Sequence, residues 1–522
     1  MEKPGLLPFV SDLPRYHIPD AGQLENVRRL IGVSDRFLKK AGIPKDDREP
    51  GPGTIIVLES GHQPNFLPHA GTWKKAFLLH RIQTLLREQG ATPVAFFGFA
   101  DQNISTARLL SKNQVPEINR HGVLKIGFRI QNADKQRSFN TVGKPSPELW
   151  EREMERIQSH YRAQITRSGS GHENKKKEWD QLLEVIWSGY RRAENFAELN
   201  AMIFARICSE LLGIRLFFFL YSDMRRENLF LEESKKVLAH TRQFNDRYNR
   251  EIADQHLDIP PVAPHRLPFW YNCACGTKLD LYPDATGSCE TVCPSCQRDH
   301  LLAFGDNFEN LDPYAPDMDF TAVARDVIMG HGLGVTLFIA GTGGSSVYGR
   351  ISDRISSELG FHHPLALAWQ SRDLYLGMVQ EIVLRDLMKT FSLTPDLLHA
   401  PALHERFRQR FDEIAEKLRA GEAGNNPKEI NYWKGHHNTE KNLIGFAREI
   451  FSSTPSFIDI LANVDYHTII QMWEHAIDYS DLHRHGCQYR MCADIRYPVH
   501  LEGISEAELP LLYESMKTLD TT

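Results

Sequence analysis

TIIVLESGHQPNFLPHAGTWKKAFLLHRIQTLLREQGATPVAFFGFADQN, residues 54–103, sets the fold class. TIIVLE (54–59) is a short β-branched run of the kind that forms a strand buried on both faces. From Gly71 onward Trp73, Phe77, Leu78, Ile82, Leu85 and Leu86 fall on one helical stripe, and Gly90 supplies a C-terminal stop. PVAFFGF (93–99) is a second apolar strand. Strand, helix and strand joined by short links predict a βαβ unit with a right-handed crossover, and so a parallel sheet.

The pattern returns further along. GVTLFIA (334–340) reads as a strand, GTGGSS (341–346) as a loop, VYGRISDRISSEL (347–359) as a helix stopped by Gly360, and HHPLALAW (362–369) as the start of the next strand. Between the two units, HGVLKIGFRI (121–130) predicts a further strand and IRLFFFLYSD (214–223) a buried one. A helical insertion covers about 146–212, broken by RSGSGHENKKK (167–177). Residues 1–52 form a polar, proline-bearing extension with a short helical pattern around 24–38. From 371 the chain is mainly helical and charged, as in HERFRQRFDEIAEKLRAG (404–421). The expected architecture is α/β. A Rossmann-like parallel core (53–265 and 306–370) carries a zinc-ribbon insertion (266–305) and a helical C-terminal region (371–522).

The 522 residues allow two or three domains, and 41% hydrophobic with 25% charged residues is the composition of a soluble globular protein. A formal charge of −6 argues against wholesale binding to nucleic acid or anionic membrane. The start of the chain lacks the basic and apolar regions of a secretory signal, and no apolar run nears the roughly 20 residues of a membrane helix. Five of eight cysteines crowd between 273 and 296, which fits reduced thiols around a metal. A cytoplasmic protein is expected.

Ligands of open parallel sheets bind beyond the carboxyl ends of the strands. Three polar stretches fall at such ends: Gly61-His62-Gln63-Pro64-Asn65, Asp101-Gln102-Asn103, and Gly341-Thr342-Gly343-Gly344-Ser345-Ser346. The third has the composition of an anion cradle, or equally of a glycine turn between strand and helix. His62 has Gln63, Asn65, His69 and the pair Lys74/Lys75 close behind it. Lys75 is placed to neutralise a ligand anion; the bland reading is a solvated lysine pair. Asp101 reads either as an acid/base group or amine anchor, or as a helix N-cap.

WYNCACGTKLDLYPDATGSCETVCPSCQ (270–297) offers Cys273-x-Cys275-Gly and Cys293-Pro-x-Cys296. Two close thiolate pairs that turn at Gly or Pro resemble a zinc ribbon, a closed four-sulfur site with a structural role. Cys289 is a spare for this set and His300 a weaker substitute. An iron–sulfur role fits the one-residue first spacing poorly. HRHGCQYRMC (483–492) gathers His483, His485, Cys487 and Cys492, which read as a second metal site or as residues packed and solvated near a helix end.

SGHQPNFLPHAGTWKK followed by TPVAFFGFADQN resembles the paired motifs of the cysteine-adding enzymes of bacillithiol biosynthesis (BshC-like), in which a Gly-x-Gln-Pro loop opens a lysine-bearing helix. NAMIFARICSELLGIRLFFFLYSDMRRE (200–227) and PDMDFTAVARDVIMGHGLGVTLFIAGTGGSSVYG (316–349), with Tyr348, keep that family's order, as does HHPLALAW. HQPNFLP alone also resembles the WbqC-like family, associated with attaching amino acids to amino sugars. Both resemblances imply a Rossmann-like core that joins an amino acid to an amine. The chain departs at Asp101-Gln102-Asn103, where a His/Asp pair is expected, at Gly-Gly-Ser-Ser, where a glutamate is expected before the tyrosine, and in its cysteine insert.

The expected function is therefore a carbon–nitrogen ligase that condenses an amino acid, cysteine being one candidate, with a small-molecule amine. Its acyl group would be activated by ATP or arrive on another acyl donor. His62 or Asp101 would act as base, and Lys75 with Gly341, Gly343, Gly344, Ser345 and Ser346 would hold the leaving anion. Gly61, Gln63, Pro64, Asn65, Gln102, Asn103 and Tyr348 would shape the substrate site. Two alternatives stand beside it. One is an adenylyl- or aminoacyl-transferring enzyme whose HENKKK tract (172–177) grips RNA, a partner the net acidity disfavours; the other is a non-catalytic zinc-containing scaffold. The C-terminal helices offer a surface for a homodimer.

Overall fold

A computed structural model of the chain describes residues 6–44, 54–167, 173–341, 344–399, 402–499 and 501–519. Its centre is a seven-stranded sheet. We number the strands β1 (Ile55–His62), β2 (Thr92–Phe99), β3 (Phe217–Leu220), β4 (Val335–Ala340), β5 (Leu365–Gln370), β6 (Asp481–His485) and β7 (Gln488–Cys492). Their spatial order is β6-β7-β5-β4-β1-β2-β3. Every neighbouring pair is parallel except the β6–β7 hairpin. The order runs 1-2-3 to one side and 4-5 to the other, so the chain reverses direction between β1 and β4, where open sheets place their ligand crevice.

Alternate residues of the strands face opposite ways, and both faces are dry. Ile56 and Leu58 of β1, Ala95 and Phe97 of β2, and Leu337 and Ile339 of β4 enter one core. Trp73, Phe77 and Leu78 of helix α2 (Ala70–Glu88) meet them there. Val57, Val94, Phe96 and Val335 enter the second core, against Val27 and Leu30 of α1 (Ala21–Ala41) and Val327 and Ile328 of α3 (Ala322–Gly332). Each such Val, Leu, Ile or Phe side chain stabilises the fold by about 1.5–3 kcal/mol. This two-sided burial is why TIIVLE and PVAFFGF show no polar alternation. At the start of α1, Asp20 accepts the Gln23 amide hydrogen bond at 2.9 Å and Gln23 reaches back to the Asp20 amide, a complete capping box.

Two sequence expectations change. Val123–Gly127 pairs with Lys112–Pro116 in a separate antiparallel ribbon and adds nothing to the main sheet. The HRHGCQYRMC stretch is the β6–β7 hairpin at the sheet edge, not a helix end. Its polar outer strand leaves His483, Arg484 and His485 exposed, as suits a strand with one unpaired side. The rest of the C-terminal region is helical. Met378–Phe391, Ala402–Ala423, Pro427–Ser452 and Leu509–Lys517 share a third core, whereas Phe457 and Trp473 join the first. The cysteine insert folds as two hairpins, Phe269–Asn272 with Lys278–Asp280 and Ser288–Val292 with Asp299–Ala303. No helix among the described residues is long and apolar enough to cross a membrane.

Candidate active site

A cavity of about 810 Å³ opens at the carboxyl ends of β1, β4 and β5. His62 and Asn65 from the first strand end, Gly341 from the second, and Lys74 and Lys75 from the first turns of α2 line it. The predicted His62 and Gly341 tips therefore share one space. A third wall was not expected. Ser371 and Asp373 follow β5, and Tyr513 and Lys517 come from the last helix, so the C-terminal region closes the crevice.

The loop from Gly61 to Pro68 is held by buried amides. Asn200 Nδ2 donates to the carbonyls of Pro64 and Leu110, both at 2.7 Å, and Asn113 Nδ2 donates to Leu67 at 2.6 Å. Ser456 Oγ donates to Leu67 as well, at 2.5 Å. These bonds satisfy carbonyls that would otherwise be stranded in the protein interior. They also fix the loop before any ligand arrives. At Gly61 a Cβ would lie 2.8 Å from Tyr221 Oη and 2.9 Å from the Gly98 carbonyl oxygen, so the close packing of neighbouring backbone requires glycine.

His62 Nδ1 lies 2.9 Å from the Gln63 carbonyl oxygen. A carbonyl only accepts, so Nδ1 carries the hydrogen and Nε2 keeps its lone pair. Burial, reinforced by the Lys75 cation, pushes the imidazole down to about 3, and it stays neutral. Asn65 is almost wholly buried, and its Oδ1 has no hydrogen-bond partner among the described residues. That acceptor stands in the cavity wall, where a ligand donor can meet it.

Both lysines are buried, which removes the reading of a solvated pair. Lys74 donates to Ser371 Oγ and to Asp373 Oδ2, the latter at 2.7 Å, and lies 5.1 Å from the centre of the Trp369 ring. Lys75 Nζ donates to the Gly61 carbonyl oxygen at 2.5 Å. Burial first, then the Arg325 guanidinium, pushes its ammonium down to about 7. The same Arg325 and Asp326 act on a buried ionisable group that the strand pattern concealed. Glu59, on the second face of β1, is pushed up to about 8 by burial and by Asp326, while Arg325 and a Tyr221 hydrogen bond oppose the shift. The carboxylate is hard to see in sequence because it interrupts an apolar strand run only once.

Several other predicted residues stand elsewhere. Asp101 is fully buried outside the cavity wall; it accepts hydrogen bonds from the Ser222 amide at 3.0 Å and from Ser222 Oγ. Burial pushes it up to about 7 against those bonds. Its place is the cap of the short helix Tyr221–Arg226, the helix-capping alternative, with a neighbouring element in place of its own. Gln102 is buried, and the carbonyls of Asp101 and Asn103 receive amides of Asn140 and Phe139. Pro64 is buried within the loop, and Gln63 is half-buried outside the cavity wall. Tyr348 lines a different cavity with Tyr248 and Trp270. Gly344, Ser345 and Ser346 form the first turn of helix α4 (Gly344–Leu359), and Gly343 lies outside the described residues. The Ser371/Asp373 part of the missed wall was readable by the same strand-end rule, because Gln370-Ser371-Arg372-Asp373 directly follows HHPLALAW; the helix bearing Tyr513 and Lys517 left no such mark.

In the insert, the Sγ atoms of Cys273, Cys275, Cys293 and Cys296 all lie within 4.8 Å of one another. Cys273 meets Cys296 at 3.5 Å, and Cys275 meets Cys293 at 3.5 Å. Tight turns shape both pairs: the Gly276 amide donates to Cys273 and the Gln297 amide to Cys293. Four converging sulfurs on two turns could hold a metal ion. His300 Nε2 reaches Cys273 Sγ at 3.3 Å from outside the set. Cys289 is buried in the second core, with Leu281 and Leu302, and is no part of the cluster.

No protein-family model matches the chain, and no curated protein matches it. Among solved structures, Thermus thermophilus arginyl-tRNA synthetase aligns over 94% of this chain and 84% of that one at 13% identity. A TM-score of 0.25 leaves that alignment without weight for fold or function.

Proposed function

We propose that the protein is a carbon–nitrogen ligase that condenses an activated amino-acid carboxyl group, cysteine being the first candidate, with the amine of a small molecule. The observation that carries this reading is the cavity wall at the β1 end. There a neutral His62 whose Nε2 has no partner among the described residues, an Asn65 Oδ1 likewise unpartnered among them, and the low-pKa amine of Lys75 stand together. Two hydrogen-bond acceptors suit an incoming ammonium or amine, and a group titrating near 7 suits its deprotonation.

The roles differ from the sequence expectation. Lys75 in its neutral form takes the proton from the ammonium nucleophile, and the freed amine attacks the acyl carbon. The bond to the leaving group breaks as the amide forms, the leaving group departs as an anion, and the second proton lost by the nitrogen passes to water in the cavity. Lys74 and Arg372 border the cavity and favour that anion, while Asp373 balances Lys74. His62 is too weak a base to take the proton and serves as an acceptor that orients the amine. ATP or another acyl donor would supply the activation, and Cys273, Cys275, Cys293 and Cys296 would hold a zinc ion with a structural role in the insert. A BshC-like or WbqC-like origin fits this chemistry and remains part of the proposal.

Comparative mass spectrometry of small molecules, in cells with and without the protein, tests the reading. A conjugate equal in mass to amine plus amino acid less one water should vanish without it and return with the wild-type chain, but not with Lys75→Met. Identical small-molecule profiles would refute the ligase.

A further inference from the structure

A second group of metal-ligating side chains lies at the opposite end of the sheet. Asp353 is carried by α4, His363 stands two residues before β5, and Cys487 sits in the turn between β6 and β7. Their ligand atoms lie within 4.8 Å of one another. His363 and Gln370 are seven residues apart along β5 and its approach, and Gln370 lines the cavity. At about 3.3 Å per residue the group lies roughly 20 Å from the site above.

The geometry within the group points to an ion. His363 Nδ1 is buried and makes no hydrogen bond among the described residues, and the His363 side chain is only 10% exposed. Its nearest carboxylate oxygen, Asp353 Oδ1, is 3.7 Å away. That is too far for a hydrogen bond. It is near the separation of a nitrogen and an oxygen ligand on one tetrahedral metal, about 3.3–3.6 Å for bonds of 2.0–2.2 Å. The backbone holds the three in register: the Ala366 amide donates to the Cys487 carbonyl at 3.0 Å, and Tyr16 Oη donates to the His363 carbonyl at 3.2 Å. A thiolate and a carboxylate together supply two negative charges, and sulfur, imidazole nitrogen and carboxylate oxygen are the donor types zinc accepts.

We propose that Asp353, His363 and Cys487 form a second metal centre that binds one divalent zinc-class cation, with water in the fourth position. A nucleophilic triad fits less well, because imidazole Nδ1 makes no hydrogen bond among the described residues and the Cys487 thiol's side-chain partner is the Asp353 carboxylate. The ion ties residues 353 and 363 of the core to residue 487, and so pins the edge hairpin β6–β7 to α4. It is independent of the four-cysteine cluster and of the ligase reading. The Cys487 grouping draws on neither His483, His485 nor Cys492, which the sequence had placed beside it.

The test is cobalt titration of the full chain after chelation, read as bound equivalents and as sulfur-to-cobalt absorption. Wild type should take up one equivalent more than Cys487→Ser and one more than His363→Gln. Both variants should keep the strong four-thiolate bands that Cys293→Ser removes. Those retained bands show that the variants are folded. If Cys487→Ser and His363→Gln bind as much cobalt as wild type, the second centre does not exist. A wild-type chain that binds no cobalt beyond what Cys293→Ser loses overturns it equally, without reliance on either variant at the new site.

Discussion

Lys75 Nζ donates to the carbonyl oxygen of Gly61 at 2.5 Å, joining the first turns of α2 to the last residues of β1. The bond holds the amine beside His62, at the wall of the cavity and out of bulk water. That burial, with the Arg325 guanidinium nearby, is what lowers the proton affinity of the Lys75 amine.

Product formation should therefore rise with pH through about 7, as Lys75 loses its proton. Lys75→Met should lower turnover by about 10²–10⁴-fold, and Lys75→Arg, which stays charged, should not restore it. The sign for stability follows from the same shift. Lys75 binds its proton less tightly folded than unfolded, so between pH 7 and 10 the unfolded chain holds more protons and folding gains with rising pH. Denaturant titrations of wild type and Lys75→Met at pH 7 and 9.5 should show this gain in wild type alone.

Gly61→Ala should cost about 1–3 kcal/mol by overpacking, because the new methyl meets Tyr221 Oη and the Gly98 carbonyl. Tyr221→Phe in the same chain should recover part of that loss. Urea midpoints of the two single variants and the double variant measure the coupling.

Asp101→Asn should leave the ligase reaction within a few-fold of wild type, since the carboxyl caps Tyr221–Arg226 away from the cavity. Its raised folded pKa makes the folded chain hold the extra proton, so wild-type stability should fall as pH rises from 4 through about 7. The variant should lack that decline. A turnover loss of 100-fold or more would return Asp101 to the chemistry.

Chelation, or Cys293→Ser, should expose the insert between 283 and 300 to protease while the main sheet keeps its circular dichroism signal. The four sulfurs bring the turns of the two hairpins together. Cys289→Ser should bind metal as wild type does, because Cys289 packs among Leu281 and Leu302.

The residue pattern by itself determined the strands and their direction. TIIVLE, PVAFFGF, GVTLFIA and HHPLALAW are apolar runs between turn residues, and burial on both faces leaves that mark wherever the strands end up. It also determined the thiolate pairs, whose spacing is local. Only the tertiary structure decided which tips share a cavity. Asp101 and His62 both follow a strand, yet one turns under Tyr221–Arg226 and the other faces the crevice. Nor could local spacing bring Ser371, Asp373 and Tyr513 to Lys74, or Asp353 and His363 to Cys487. Those groupings join residues tens to hundreds of positions apart, and strand order and helix packing, not sequence neighbours, set which of them meet.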